Sequence, residues 1–246
     1  MVEFGDDLTI SIALVSSLLL ISMAKDLLDK GGLAAALGVG LVISLLGHWT
    51  WLLVLMTFLI VGSMATKWRF EEKVKISAEE ANDGVRGWKN VLANGGMASI
   101  VAVVNHIVGD HEWAYFVLCS AVSVAASDTL ASEIGSLDPR TRIITTLEAV
   151  PAGTNGGMSP TGTLAAFYGA LLISVVSTVL GAINGDRTPT VFFFSFVILF
   201  GWLGCQVDSI LGALLENRGV LGKHSVNFLS TFSGSLMAIF VASRFL

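Results

Sequence analysis

Charge is what this sequence has least of. Only 13% of its 246 residues are Asp, Glu, Lys or Arg, against about 25% in an ordinary soluble domain. There are four prolines and two cysteines, Cys119 and Cys205, both inside apolar runs. That excludes a disulfide framework, a CxxC redox motif and a cysteine zinc site. No HExxH and no GxxxxGK[ST] phosphate loop occurs, so the chain is neither a metalloprotease of that type nor a P-loop protein. The histidines, at 48, 106, 111 and 224, are scattered and carry no motif. The net charge of −5 says little by itself about partners, and no nucleic acid is expected. No apolar run is followed by a small-residue cleavage pattern, so no cleaved signal is expected.

What is abundant is apolar surface. The chain is 54% hydrophobic with mean hydropathy +0.77, which predicts an all-α fold: a polytopic integral membrane helical bundle of about seven to eight transmembrane helices, one domain over residues 1–246. The candidate spans are Leu8–Ala24, Leu33–Gly47, Trp49–Ala65, Val91–Val108, Trp113–Asp128, Thr161–Ile183, Val191–Ala213 and Val226–Ala242. Leu33–Gly47 is short, and either tilts, spans partially or fuses with its neighbour through Gly47-His48.

Loop charge tests the count. With Lys67–Asn90 in the cytoplasm and strict alternation, twelve of the fourteen basic residues fall inside, leaving only Arg187 and Arg244 outside. Glu3, Asp6, Asp7 and the Asp110-His111-Glu112 turn also fall outside. The positive-inside rule favours this arrangement of eight crossings in the cell membrane. Lys67–Asn90 reads as a cytoplasmic amphipathic helix, a segment at about 67–90 with a mixed-charge, solvated face and pairs such as Glu71–Lys75; a mobile lid is the sharper alternative.

Polar residues then gather at one membrane face. Asp128 and Asp208 interrupt apolar runs, and a carboxylate at membrane depth needs a partner, water or a cation. Glu133 and Glu216 follow them. Glu133 lies five residues after Asp128, about 140° around a helix, so the two acids share one site only if the helix breaks or another helix contributes. Between Pro151 and Pro160, Gly153-Thr154-Asn155-Gly156-Gly157 offers a glycine nest for anionic oxygens, ahead of a helix beginning near Thr161 whose positive end favours phosphate. Gly212, one turn after Asp208, thins that helix face and lets a ligand or helix approach. Two carboxylates on separate helices with phosphates nearby would hold Mg²⁺ through few protein ligands and several waters. Arg86 and Lys89 suit phosphate oxygens, Asn94 sits beside Gly95-Gly96, and Asn227 is a further polar intruder whose plainer role is interhelical hydrogen bonding.

At these residues the sequence resembles a known family. Asp128-Thr129-Leu130-Ala131-Ser132-Glu133-Ile134-Gly135, Gly153-Thr154-Asn155-Gly156-Gly157, Asp208-Ser209-Ile210-Leu211-Gly212-Ala213 and Val226-Asn227-Phe228-Leu229-Ser230 are similar to motifs of the transmembrane protein 19 and phytyl-phosphate kinase family of polytopic membrane proteins, which has archaeal and cyanobacterial members. The stretch from Arg86 to Gly96 fits as well. The resemblance implies transfer of the terminal phosphate of a nucleoside triphosphate, CTP being favoured in the family, to an isoprenoid (phytyl or prenyl) lipid monophosphate. It implies that Asp128, Glu133 and Asp208 are metal-binding or catalytic carboxylates and that Thr154-Asn155-Gly156-Gly157 holds phosphate; Arg86, Asn94 and Asn227 join the phosphate- and substrate-binding candidates on their own chemistry. Leu130 stands where the family suggests an aromatic residue, and Lys223-His224-Ser225 where it suggests more asparagine; both bear on substrate identity. The alternatives are a CTP-dependent lipid-phosphate cytidylyltransferase or polyprenol kinase and, ranked lower, a transporter using the buried acids as coupling sites. Partners are then the nucleotide, the lipid phosphate and membrane lipids; the oligomeric state is open.

Overall fold

The computed structural model of the protein describes residues 4–76, 84–109, 111, 113–185, 188 and 190–245. The helices are α1 (Phe4–Ala24), α2 (Lys30–Leu46), α3 (Trp49–Lys67), α4 (Phe70–Lys75), α5 (Trp88–Val108), α6 (Ala114–Gly135), α7 (Pro160–Asn184), α8 (Thr190–Leu211) and α9 (Lys223–Phe245). A two-stranded hairpin, β1 (Arg142–Ile143) and β2 (Gly157–Met158), interrupts them, pairing Arg142 with Met158 and Ile143 with Gly157. Among the described residues seven helices are long and apolar enough to cross a membrane, and α2 is a shorter apolar helix of 17 residues. The fold is that of an all-α integral membrane protein. At 1.5 Å per residue α2 is about 25 Å long, close to a bilayer core. It does not fuse with α3: Gly47 ends it in extended geometry and His48 caps α3, accepting from the Thr50 N–H.

The starts of the other helices also follow local chemistry. Asp29 caps α2 by accepting from Gly32 N–H at 2.6 Å. Ser159 caps α7 ahead of Pro160 in its first turn, where the missing proline N–H removes nothing the helix uses.

The centre of the bundle is α6. Most of its residues are buried, and it packs against α3, α5, α7, α8 and α9. Its run of Ser, Ala, Val and Thr is narrow, and its neighbours present glycine to it. A Cβ on Gly201 would lie 2.0 Å from Ser123 Oγ, and one on Gly204 would lie 2.2 Å from Val124. Small residues bring membrane helices within van der Waals contact, where packing replaces the hydrophobic drive that lipid removes. Hydroxyls add hydrogen bonds across the interfaces: Tyr115 to Ser177 O at 2.8 Å and Ser123 to Val197 O at 2.9 Å. The outer face is apolar, with Leu20, Ile107, Val179 and Val191 all exposed, as lipid contact requires.

The connections after α1, α3, α6 and α8 share one end of the bundle. Lys67 Nζ donates to Lys25 O at 2.5 Å, Arg86 N–H donates to Leu27 O at 3.0 Å, and Asn217 Nδ2 donates to Asn155 O at 3.0 Å.

The 67–90 segment is not one amphipathic helix. Among its described residues α4 spans only Phe70–Lys75, and residues 77–83 lie outside the described ones. The local pair is Arg69–Glu72 rather than Glu71–Lys75. Lys73 is fully buried instead of solvated.

Candidate functional site

A polar cavity of about 250 Å³ opens at this end of the bundle. Asp128 and Ser132 on α6 form one wall; Asp208 and Ser209 on α8 form another. Gly212 and Glu216 follow from a π-helical turn, Gly212–Glu216, that extends α8. Such wide turns cluster at functional positions, where they re-aim side chains. Lys223 and Asn227, one turn apart on α9, close a third side. The hairpin loop, Gly153 to Met158, and the first turn of α7 cover the fourth.

The loop is held in place by fit. Gly156 has φ +74°, and a Cβ there would lie 2.6 Å from Ala213 and from Ser209 O. Only glycine accommodates both the left-handed backbone and that proximity. What Gly212 admits to α8 is therefore this loop: a Cβ on Gly212 would sit 3.0 Å from Gly156 N. Thr154 closes the turn, its hydroxyl donating to Pro151 O at 2.7 Å while its carbonyl accepts from Gly157 N–H at 2.8 Å.

The carboxyl of Asp208 lies beside Asp128 and Ser230, with Glu216 close enough to act on it electrostatically. Its Oδ2 is buried without a protein partner. The cavity's charged lining is thus three carboxylates against one lysine. The three acids do not converge on one point, since no cluster of three ligating side chains occurs among the described residues. Two adjacent carboxylates with an orphaned oxygen suit a hard cation that takes one or two protein oxygens and fills its remaining positions with water and substrate phosphate, as Mg²⁺ does.

Of the residues anticipated from sequence, Asp128, Asp208, Thr154, Asn155, Gly156, Gly157 and Asn227 line this cavity together. Glu133, Arg86 and Asn94 do not. α6 continues unbroken to Gly135, so Glu133 keeps its rotation away from Asp128 and points at α3 and α4. There it accepts from Lys73 Nζ at 2.7 Å and Thr66 Oγ1 at 2.8 Å. Lys73 also donates to Ala65 O and Thr66 O. Arg86 is 4% exposed; it lies over the Phe58 ring at 5.5 Å and donates to Thr66 Oγ1 at 3.4 Å. Asn94 donates to Asn90 O at 2.9 Å within α5.

The positive end of α7 is also largely engaged. Asp138 accepts from Thr161 N–H and hydroxyl, and Ser159 accepts from Gly162 N–H. Hydrogen bonds from Arg140 and Thr161 hold the Asp138 carboxyl well below the usual carboxylate range. Lys223, which the sequence marks only as part of the Lys223-His224-Ser225 departure, joins the cavity lining; its spacing of four from Asn227 was the available signal that both share a helix face.

These features define a polytopic helical membrane protein with an acidic, loop-covered cavity at one end of its bundle. Residues 13–235 match the family described as integral membrane protein DUF92, and the chain belongs to that family. It is 30% identical over 239 residues to an uncharacterized membrane protein of Methanocaldococcus jannaschii, covering 95% of this chain and 94% of the relative. It is 32% identical over 220 residues to an uncharacterized membrane protein of Synechocystis, covering 87% and 83%. It is 28% identical over 246 residues to the chloroplastic protein VTE6 of Arabidopsis thaliana, covering 92% and 70%. No solved structure matches the chain.

Proposed function

We propose that the protein is a membrane-embedded lipid-phosphate kinase. It transfers the terminal phosphate of a nucleoside triphosphate, with CTP the nucleotide suggested by the motif resemblance, to an isoprenoid lipid monophosphate at the cytoplasmic face. The observation that carries this reading is the juxtaposition of Asp128 and Asp208 beneath a glycine loop, in a cavity open at one end of the bundle. The likeness to VTE6 over 92% of the chain supports it, as do the phytyl-phosphate kinase motifs at the same residues. The bias of basic residues toward this end of the chain's topology supports the cytoplasmic assignment.

Asp128 and Asp208 would hold Mg²⁺, which would offset phosphate charge in a loose transition state. The chain's own residues do the positioning. Lys223 at the cavity wall attracts phosphate oxygens, and Asn227 offers an amide donor. The docked loop fixes Thr154 and Asn155 against α8 and limits water. The acceptor monoester brings an already ionised oxygen, so no strong base is needed. That oxygen forms the new bond to the terminal phosphorus as the bond to the bridging oxygen breaks and nucleoside diphosphate leaves.

The test uses purified protein, Mg²⁺, a panel of nucleoside triphosphates and prenyl monophosphates of several lengths. The expected product is a prenyl diphosphate carrying the γ-label of the nucleotide. Label in pyrophosphate would make the protein a cytidylyltransferase, and no Mg²⁺-dependent lipid product with any pair would overturn the kinase reading.

A further inference from the structure

We infer that the groove between α7 and α8 is the binding site for the hydrocarbon chain of a single-chain lipid phosphate, with Arg142 receiving its phosphate at the threshold of the acidic cavity. What then happens to that phosphate rests on the kinase reading above.

The groove is an open trough of about 950 Å³. Its wall is apolar: Leu164 and Phe167 on α7, Trp202 on α8, and Leu147 from the hairpin. Leu164 and Phe167 are exposed, on a face that meets the bilayer. Trp202 lies deep, nine residues before Leu211 and the π-helical turn that extends α8, and Phe167 lies seven residues into α7, about 10 Å below that helix end. That is most of one leaflet's hydrocarbon depth, since the whole core is about 30 Å. The trough therefore starts at the interface and runs alongside lipid tails.

Its polar end carries Arg140 and Arg142. Arg140 is committed to Asp138 through two side-chain hydrogen bonds of 2.9 Å. Arg142 donates once, to Leu147 O at 2.8 Å, and pairs with no carboxylate among the described residues. A guanidinium has five N–H donors in a rigid fork that matches phosphate. An apolar trough under such a fork complements an anionic amphiphile and neither a neutral lipid nor a soluble anion.

The trough adjoins the acidic cavity across a common wall: Met158, Ser159 and Thr163 line both. A lipid seated in the trough needs to move only its head past these three residues to meet Asp128 and Asp208, while its tail never leaves the bilayer. Other apolar recesses lack this combination. The cavity among α1, α2, α3 and α5 holds only about 60 Å³, and the groove beside Gly31 and Trp88 has no basic residue in its lining and shares none with the acidic cavity.

The experiment is photo-cross-linking of the full-length protein in phosphatidylcholine vesicles, without nucleotide. The probe is farnesyl phosphate with a tail diazirine; the alcohol with the same tail is the control. The label is expected on peptides containing Leu164–Tyr168 and Trp202, displaced by unlabelled farnesyl phosphate and not by farnesol. Arg142→Glu should lower it about tenfold, and Arg142→Lys should retain much of it. Leu164→Trp, which fills the trough, should lower it without touching the arginine. Label centred on the Gly31–Trp88 groove, or equal labelling by alcohol and phosphate that Arg142→Glu leaves unchanged, would overturn the inference. Because the labelling omits nucleotide, it is read apart from turnover: groove labelling with no diphosphate product in the separate assay with nucleotide and Mg²⁺ would sink the kinase reading alone, and product in that assay without groove labelling here would sink this inference alone.

Discussion

Asp208 on α8 lies beside Asp128 on α6, two carboxylates far apart in sequence brought together inside a membrane bundle. Their mutual repulsion opposes the packing of α6 on α8, so a cation between them would stabilise the folded protein as well as serve chemistry. In metal-free buffer, Mg²⁺ added at about 100 times its Kd should raise the stability of the wild-type protein by about 2.7 kcal/mol, read as a rise in Tm. Asp128→Asn and Asp208→Asn should fold, lose that Mg²⁺ response and lose at least about 100-fold in kcat, the scale of removing one preorganised electrostatic group. A wild-type Tm insensitive to Mg²⁺, or normal turnover in both variants, would remove the metal assignment.

Glu133 offers the complementary case. Its carboxylate is joined to Lys73, whose side chain is 0% exposed, at 2.7 Å. Glu133→Gln leaves a buried ammonium without its counter-charge, a change that costs roughly 3–5 kcal/mol. The expected signature is a large fall in Tm with near-normal kcat per folded molecule, and the double variant Lys73→Met with Glu133→Leu should recover much of the stability. A Glu133→Gln protein with wild-type Tm and abolished kcat would return this residue to the catalytic site.

The contrast between these acids marks how far the sequence could be read. The helices are legible because apolar run length is a local property: Trp49–Ala65 became Trp49–Lys67, and Val91–Val108 became Trp88–Val108. Asp128 ended its apolar run, yet α6 continues to Gly135 because neighbouring helices cover that turn. The cavity's acids and glycine loop were legible because their chemistry is costly at membrane depth wherever it falls. The partner of Glu133 was not, since Lys73 stands in a run of alternating charges that looks solvated and meets Glu133 only through the return of α4 against α3. Arg86 misled for the same reason: a basic residue near a membrane face reads as a phosphate ligand, and only packing against Phe58 and Gly62 reveals it as buried.

Gly156 tests whether the loop matters as a docked element. Alanine at φ +74° is itself strained by about 1–2 kcal/mol, and its Cβ would meet Ala213 at 2.6 Å. Gly156→Ala should therefore lift the loop from α8, with kcat falling at least about tenfold while the helical bundle keeps its far-UV circular dichroism. Limited proteolysis should become faster between Ile144 and Gly156. Unchanged proteolysis and activity would show that the cavity does not depend on this contact.

Asp138 predicts an acid limb to stability outside the membrane-spanning helices. Its carboxyl is held below its ordinary value by Arg140 and Thr161. A depressed folded-state value means the contribution is complete above the unfolded-state pKa of about 3.9 and fades as pH falls through the folded one. Between about pH 5 and about pH 2 the wild-type Tm should fall more steeply than that of Asp138→Asn, so the two curves converge toward acid. Parallel curves would mean that the cap on α7 contributes nothing through its charge.

Sidedness can be measured with introduced thiols. Cys119 and Cys205 are both buried, but Cys205 lines the acidic cavity, so a membrane-impermeant maleimide reads only the introduced thiols in a Cys205→Ala background. If the cavity faces the cytoplasm, Thr145→Cys in the hairpin and Arg218→Cys after α8 should label in inside-out vesicles and stay silent in intact cells. Gly185→Cys is less suitable, because φ +77° there disfavours any side chain; Thr188→Cys between α7 and α8 should show the reverse pattern. The two sets must oppose each other, since α7 lies between the hairpin and position 188 and crosses once. Labelling of Thr145→Cys and Thr188→Cys from the same side would remove a crossing from the bundle, and with it the alternation that gathers Asp128, Asn155 and Asp208 at one face.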